Sequence, residues 1–241
     1  MDAPTTAQPA TPTESSDVLV AALPRQADLP EGWVLGAQQP KTGFQPASGP
    51  FIGSCSGGNA DARALEHHAF GVANGAAYDA PGGAWGYVSV IGFPTIDDAR
   101  GYLDLTRDLG ECSQQFTVRE GASPGSYDGF ADGALDGKQE WSVTETVSNS
   151  VPVVPQADEA LAVVLRDNLT SVLDGTTYTA QLDDVSVLER YGRFVVVANI
   201  SSYCCDSGYR QPAGTAFVTL ADLLPAMDSI RAHARSVLIG R

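Results

Sequence analysis

The chain has 241 residues, 43% of them hydrophobic and 18% charged, enough to bury a large core as one domain or two small ones. Fourteen Lys and Arg against twenty-nine Asp and Glu leave a formal charge of −15 at pH 7. That balance excludes nucleic acid and anionic membrane surfaces as direct partners, because phosphate binding needs clustered basic side chains.

The opening stretch, "MDAPTTAQPATPTESSD", is rich in Pro, Thr, Ala and Ser and carries almost no large apolar side chain. Such a composition cannot build a packed core. Residues 1–17 therefore read as a disordered tether left after removal of a lipoprotein leader, with Met1 standing where a lipidated cysteine was. The folded domain is expected over residues 18–241. Only Lys41 and Lys138 are lysines, the other twelve basic residues being Arg. With abundant Ala and Gly, this usage suggests a high-GC bacterial origin.

From Val18, "DVLVAALPRQADLPEGW" predicts a short helix capped by Asp17 and stopped at Pro24, then a turn at Pro30–Gly32 before Trp33. Residues 42–58 read as loop. "NADARALEHHAF" predicts a helix with Asn59 as cap, and residues 71–83 read as a Gly/Pro-rich loop. "AWGYVSVIGF" alternates as a strand, with Trp85, Tyr87, Ser89 and Ile91 on one face and Val88 and Val90 on the other. Thr95 caps the next helix, where Ile96, Ala99, Tyr102, Leu103, Thr106 and Leu109 recur at helical spacing before Gly110.

"QQFTVRE" and "QEWSVTETV" predict strands around a Gly/Asp-rich connection, 121–138. "QADEALAVVLRDNLTSVLDG" reads as a helix ending at Gly175. "TYTAQLDDVSVLERYGRFVVVANISS" reads as a hairpin turning at Tyr191–Gly192. The last segment is an amphipathic helix carrying Leu223, Leu224, Met227, Ile230, Ala234, Val237 and Leu238 on one stripe, with Asp222 as cap and Pro225 in the first turn. The expected fold class is α+β: a largely antiparallel sheet with helices packed on one face, stapled by disulfides.

Four cysteines, Cys55, Cys112, Cys204 and Cys205, suit an oxidising compartment better than a metal site, since no C-x-x-C pair is present. Three pairings are open. Cys55–Cys112 would close about 58 residues and contribute roughly 4 kcal/mol on a loop-entropy estimate. It leaves Cys204 and Cys205 to each other, the favoured arrangement. The competing arrangements link Cys55 and Cys112 separately to the Cys204–Cys205 pair.

"CSGG", "WGYVSVIGFPTIDDARGYLDLTRDLGECSQQF" and "GRFVVVANISSYCC", followed by a closing amphipathic helix, resemble the PknH-like extracellular sensor domain family. That family occurs on mycobacterial serine/threonine kinases and as free-standing actinobacterial lipoproteins. Cys55, Cys112 and one of Cys204/Cys205 match its cysteine positions. A further family cysteine, due near Leu188–Tyr191, is missing, which leaves the neighbouring cysteine as substitute partner. The resemblance implies an extracytoplasmic, lipid-anchored or secreted sensor without catalysis or cofactor. Its partner would be an unknown small molecule or envelope protein, and its membrane contact an N-terminal lipid anchor.

Candidate chemistry is thin. "GSCSG" (53–57) mimics a nucleophile elbow with Cys55 at its centre, yet loop and not strand precedes it; His67, His68 or His233 would have to act as base. Glu66, His67 and His68 lack metal-ligand spacing. "DGFADGALDGKQ" lays Asp128, Asp132, Gly133 and Asp136 on positions 1, 5, 6 and 9 of a calcium loop, but Gln139 stands where a bidentate carboxylate is needed. Asp97 and Asp98 read as helix N-terminal charge, and Asp183 and Asp184 as an exposed turn. Trp85, Tyr87, Phe93, Tyr102, Trp141, Tyr178, Phe194, Tyr203 and Tyr209 are candidates to share between the core and a ligand groove on the sheet. The expected function is thus a sensor or ligand-binding domain, with a Cys55 hydrolase and a calcium-dependent envelope protein as alternatives.

Overall fold

A computed structural model describes residues 12–36, 41–42, 69–79, 85–108, 112–119, 140–152, 154, 157–173, 176–205 and 220–239. In chain order these form α1 (Pro12–Ala21), a 3-10 turn (Gln26–Asp28), β1 (Val34–Leu35), β2 (Lys41–Thr42), β3 (Gly71–Asp79), β4 (Trp85–Gly92) and α2 (Ile96–Asp108). Then come β5 (Cys112–Arg119), β6 (Glu140–Ser150), β7 (Glu159–Leu173), β8 (Thr176–Tyr191), β9 (Phe194–Cys205) and α3 (Leu220–Leu238). The nine strands make one sheet in the order β1-β3-β4-β9-β8-β7-β6-β5, with β2 also on β3. Each described pairing is antiparallel.

The α+β class and antiparallel sheet agree with expectation; the placement of the helices does not. Alternate residues of the central strands feed two separate cores. One gathers Val88, Val90, Val185, Val187, Val196 and Ala198 with Leu19 of α1 and Leu223, Ile230, Ala234 and Leu238 of α3. The other gathers Ile91, Leu188, Val195, Val197, Leu161 and Val163 with Ala99, Tyr102 and Leu103 of α2. Helices therefore cover both faces, α1 and α3 on one and α2 on the other.

Two-sided burial explains the largest correction. The segment that reads as a helix ending at Gly175 is β7, paired with β8 from Glu159↔Arg190 to Leu173↔Thr176 and with β6 along its other edge. Ala162 enters the α1/α3 core while Leu161, Val163 and Leu165 enter the α2 core, and Ala160 is buried beside them. A strand buried on both faces shows a continuous apolar run, which periodicity alone cannot tell from a buried helix. Its β-branched Val163, Val164, Thr170 and Val172 favour the strand.

Other boundaries shift for local reasons. The first helix takes in Asp17 and starts at Pro12, inside the expected tether, because Pro at a first helical position gives up no hydrogen bond and presets φ. The stretch 71–83, read as loop, is β3 as far as Asp79. A Cβ on Gly71 would sit 2.9 Å from Leu19 Cδ1, so the strand carries small residues where α1 lies against it, and packing overrides their weak strand propensity. Gly75 is the extra residue of a bulge between Asn74 and Ala76. Asp183 and Asp184 are mid-strand in β8, not in a turn. In α3, Asp222 is internal and Pro225 falls in the second turn.

Several local expectations stand. The Trp33 N–H donates to the Pro30 carbonyl at 3.1 Å and Gly32 has φ 84°, as a turn of this kind requires. Thr95 Oγ1 accepts from the Asp98 N–H at 3.1 Å, which caps α2, although Ile96 faces solvent at 50% exposure. The β8–β9 hairpin turns through Gly192 and Arg193, with Gly192 at φ 58°. Arg190 ties this turn to the start of β7. Its Nε donates to Glu159 Oε2 at 2.7 Å and its guanidinium reaches Asp158 Oδ2 and the Gly192 carbonyl.

Leu188, fully buried at the centre of the α2 face, tests this layering: Leu188→Ala is expected to cost about 2–5 kcal/mol in denaturant unfolding, since the cavity is walled by both strand and helix.

Candidate functional site

Fully buried central strands make every polar residue on them conspicuous. Facing α3, Glu189 is 0% exposed. Its Oε2 accepts the Tyr191 hydroxyl at 2.6 Å, and Arg231 Nε of α3 donates to both of its carboxylate oxygens at 2.9 and 3.0 Å. Arg231 also reaches Asp228 Oδ1 at 2.9 Å. Burial pushes the Glu189 carboxyl up, against the pull of Tyr191 and Arg231. Burial opposes the Arg231 charge too, but the bonded carboxylate outweighs it and holds the guanidinium above its ordinary value. The Tyr191 phenol is pushed up by burial and by the neighbouring Glu189 charge. Each partner is spent on another, so the trio acts as a clasp fixing α3 to β8, not as an acid–base pair.

The α2 face differs. The register sets Tyr87, Asn199, Ser186, Val163 and Asn149 in one row across β4, β9, β8, β7 and β6. Asn199 and Ser186 are buried and joined by an Asn199 Nδ2 to Ser186 Oγ bond of 3.1 Å. Asn149 Nδ2 donates at 2.9 Å to the Arg107 carbonyl, one of the last of α2, and so takes up a helix-end acceptor. The row thus runs across the sheet to the C-terminal end of α2. Beyond it the register places Trp85, Ser201, Asp184, Leu165, Val147 and Cys112 in a second row. A third holds Tyr203, Leu182, Asp167, Glu145 and Gln114, in which Asp167 is buried. Residues with amide, hydroxyl, carboxylate and aromatic groups therefore fall in neighbouring register rows of the sheet.

The residues singled out by sequence fare unevenly. Phe93 and Tyr102 are core, their ring centroids 5.4 Å apart, and Phe194 packs edge-to-face on Phe70 at 6.2 Å. His233 is engaged between the Ala21 carbonyl and Asp28. Asp97 pairs with Arg100, and Asp98 accepts the Thr95 hydroxyl at 2.6 Å. Cys55, Glu66, His67, His68, the Asp128–Gln139 loop and Tyr209 lie outside the described residues. Among the described residues no group of three His, Cys, Asp or Glu could hold a metal ion, and no helix is long and apolar enough to cross a membrane.

Sheet topology bears on the cysteines. Cys112 lies on edge strand β5, four strands from Cys204 and Cys205 on β9, about 19 Å along the sheet. Disulfides need Cα separations below about 7 Å, so the pairings of Cys112 with Cys204 or Cys205 are excluded in this sheet. Cys204 and Cys205 are opposite Gln181 and Ala180 in the β8–β9 ladder. Consecutive ladder residues alternate faces, so a bond between these two requires that end of β9 to leave the ladder. The Asn199–Ser186 row was missed in sequence because "VANIS" and "DVSVL" read simply as strand; only the register aligns them.

No protein-family model matches the chain, and no curated sequence is detectably similar to it. Among solved structures the chain is similar to the extracellular domain of PknH from Mycobacterium tuberculosis, at 15% identity and TM-score 0.48 over 95% of this chain and 97% of that one.

The clasp generates a stability prediction. Arg231→Met leaves a buried carboxylate uncompensated and should cost about 3–5 kcal/mol in chemical denaturation, while Glu189→Leu/Tyr191→Phe/Arg231→Met should recover most of that loss. An Arg231→Met protein within 1 kcal/mol of the parent would remove the clasp from the account.

Proposed function

We propose that this chain is an extracytoplasmic sensor or ligand-binding domain of the bacterial cell envelope, lipid-anchored through its N-terminal segment and without catalytic activity. The reading is supported by the motif resemblance around Cys55, residues 85–116 and residues 192–205. The observation that carries it is the polar row Tyr87–Asn199–Ser186 at the end of α2, with Ser201, Asp184, Asp167 and Tyr203 registered beside it. The row sets a buried amide beside a buried hydroxyl on an otherwise apolar stretch of sheet, the kind of sparse polar placement that gives a small-ligand site its orientation. A small polar or hydroxylated envelope molecule fits the donor and acceptor set.

A Cys55–Cys112 staple belongs to the same reading, since it ties the segment before β3 to edge strand β5 and leaves Cys112 no thiol to titrate.

Native mass spectrometry of protein purified from an actinobacterial envelope tests the proposal. A bound small-molecule adduct is expected on the parent chain and should be lost in Asn199→Leu and Ser186→Ala variants that keep the parent melting temperature. Adduct-free parent protein, or an adduct indifferent to both substitutions, contradicts the assigned face.

A further inference from the structure

The N-terminal segment meets α3 through one histidine whose two ring nitrogens both face acceptors. His233 Nε2 lies 2.9 Å from the carbonyl of Ala21, the last residue of α1. Its Nδ1 lies 3.5 Å from Asp28 Oδ2, at the end of the 3-10 turn, within ion-pair range. The ring is almost enclosed, with a side-chain exposure of 10%. A neutral imidazole has one N–H and one lone pair, so either tautomer sets a lone pair against an oxygen. Only the doubly protonated ring donates in both directions. We infer that His233 is a proton-dependent latch, which holds α1 and the 3-10 turn on α3 when protonated and loosens them when neutral.

The surroundings fit this role. Asp28 is also held by Arg25, whose Nε donates to Oδ2 at 2.9 Å, whose second nitrogen donates to Oδ1 at 3.1 Å and whose backbone N–H donates to Oδ2 at 2.9 Å. Those bonds, Arg25 foremost, hold the Asp28 carboxyl below its ordinary range, so it remains an anion wherever an imidazole titrates. The charged groups facing the ring are thus Asp28 and, behind it, Arg25, which shares the carboxylate without removing it. From α1 the ring meets a neutral carbonyl. The two facing acceptors therefore favour the doubly protonated ring, so the latch holds in acid and loosens in base.

The latch sits where release has a consequence. Leu19, Ala22, Leu23 and Leu29 cover the face of the sheet formed by Ala73, Val88 and Val90, so loosening the segment uncovers core beside β3 and β4. It requires neither the polar row nor a ligand, and so is independent of the proposed sensing site.

Amide hydrogen exchange on the full chain, corrected for intrinsic rates, measures it at Ala22, Leu23, Asp28 and Leu29, whose N–H groups bond Val18, Val20, Arg25 and Gln26. Between pH 5 and pH 8 the parent is expected to lose about tenfold protection at these four positions. Protection over Val185–Ile200 should stay unchanged. His233→Gln keeps a donor for Ala21 but has no charge to lose, and should be flat across the range; Asp28→Asn should be flat as well. A flat parent, a fall that persists in both variants, or an equal fall at Val185–Ile200 overturns the latch.

Discussion

Everything in this molecule follows from the β8–β9 hairpin, Val185–Tyr191 and Phe194–Ile200, having no solvent side. Each residue from Val185 to Tyr191 and from Phe194 to Ile200 is buried. Strand residues alternate between faces, so two independent cores must exist, and each needs its own helical cover. That is why α2 lies on one face while α1 and α3 share the other. It is also why the neighbouring strand β7 shows an unbroken apolar run from Ala160 to Leu165. A burial value of about 25 cal/mol per Å2 makes such strands the main source of stability, and leaves no cheap place for an unpaired polar atom.

The polar residues on those strands obey the same constraint. Glu189 is matched by Arg231 and Tyr191, Arg190 by Glu159 and Asp158, and Asn199 by Ser186. The first two groups are mechanical: one clasps α3 to the sheet, and the other closes the hairpin against the start of β7. The third joins β9 to β8 on the α2 face. It lies in line with Tyr87 and Asn149, whose amide meets the C-terminal end of α2, and next to register rows that carry Ser201, Asp184 and Asp167. Position, more than chemistry, separates a structural polar contact from a candidate recognition surface here.

Legibility in the sequence divided along the same line. Where a segment carries its own signal, it can be read locally: Thr95 before α2, Pro30–Gly32 before Trp33, Gly192 at the hairpin, and the alternation of Trp85–Ile91. Where the signal comes from distant packing, it cannot. The run 159–173 looks helical because the apolar stretch Ala160–Leu165 faces both cores, and 71–79 looks like loop because α1 demands small residues beneath Leu19. The His233 contacts join residues 212 positions apart in one case, and the Asn199–Ser186 pair depends on a register that two separate strand signals do not encode. The cysteine spacing left three pairings open, and only the order of the strands removed those joining Cys112 to β9.

The claim most exposed to contradiction is that residues 159–173 form a strand whose segment Ala160–Leu165 enters the sheet's interior. Nuclear Overhauser contacts in the isotope-labelled protein decide it. The account predicts Hα–Hα contacts at alternate opposed pairs along Glu159–Leu173 and Thr176–Arg190, with Val163 opposite Ser186 and Leu165 opposite Asp184. Sequential amide–amide contacts together with i to i+3 contacts through the same stretch would mean a helix there, and the two-core sheet would fall with it.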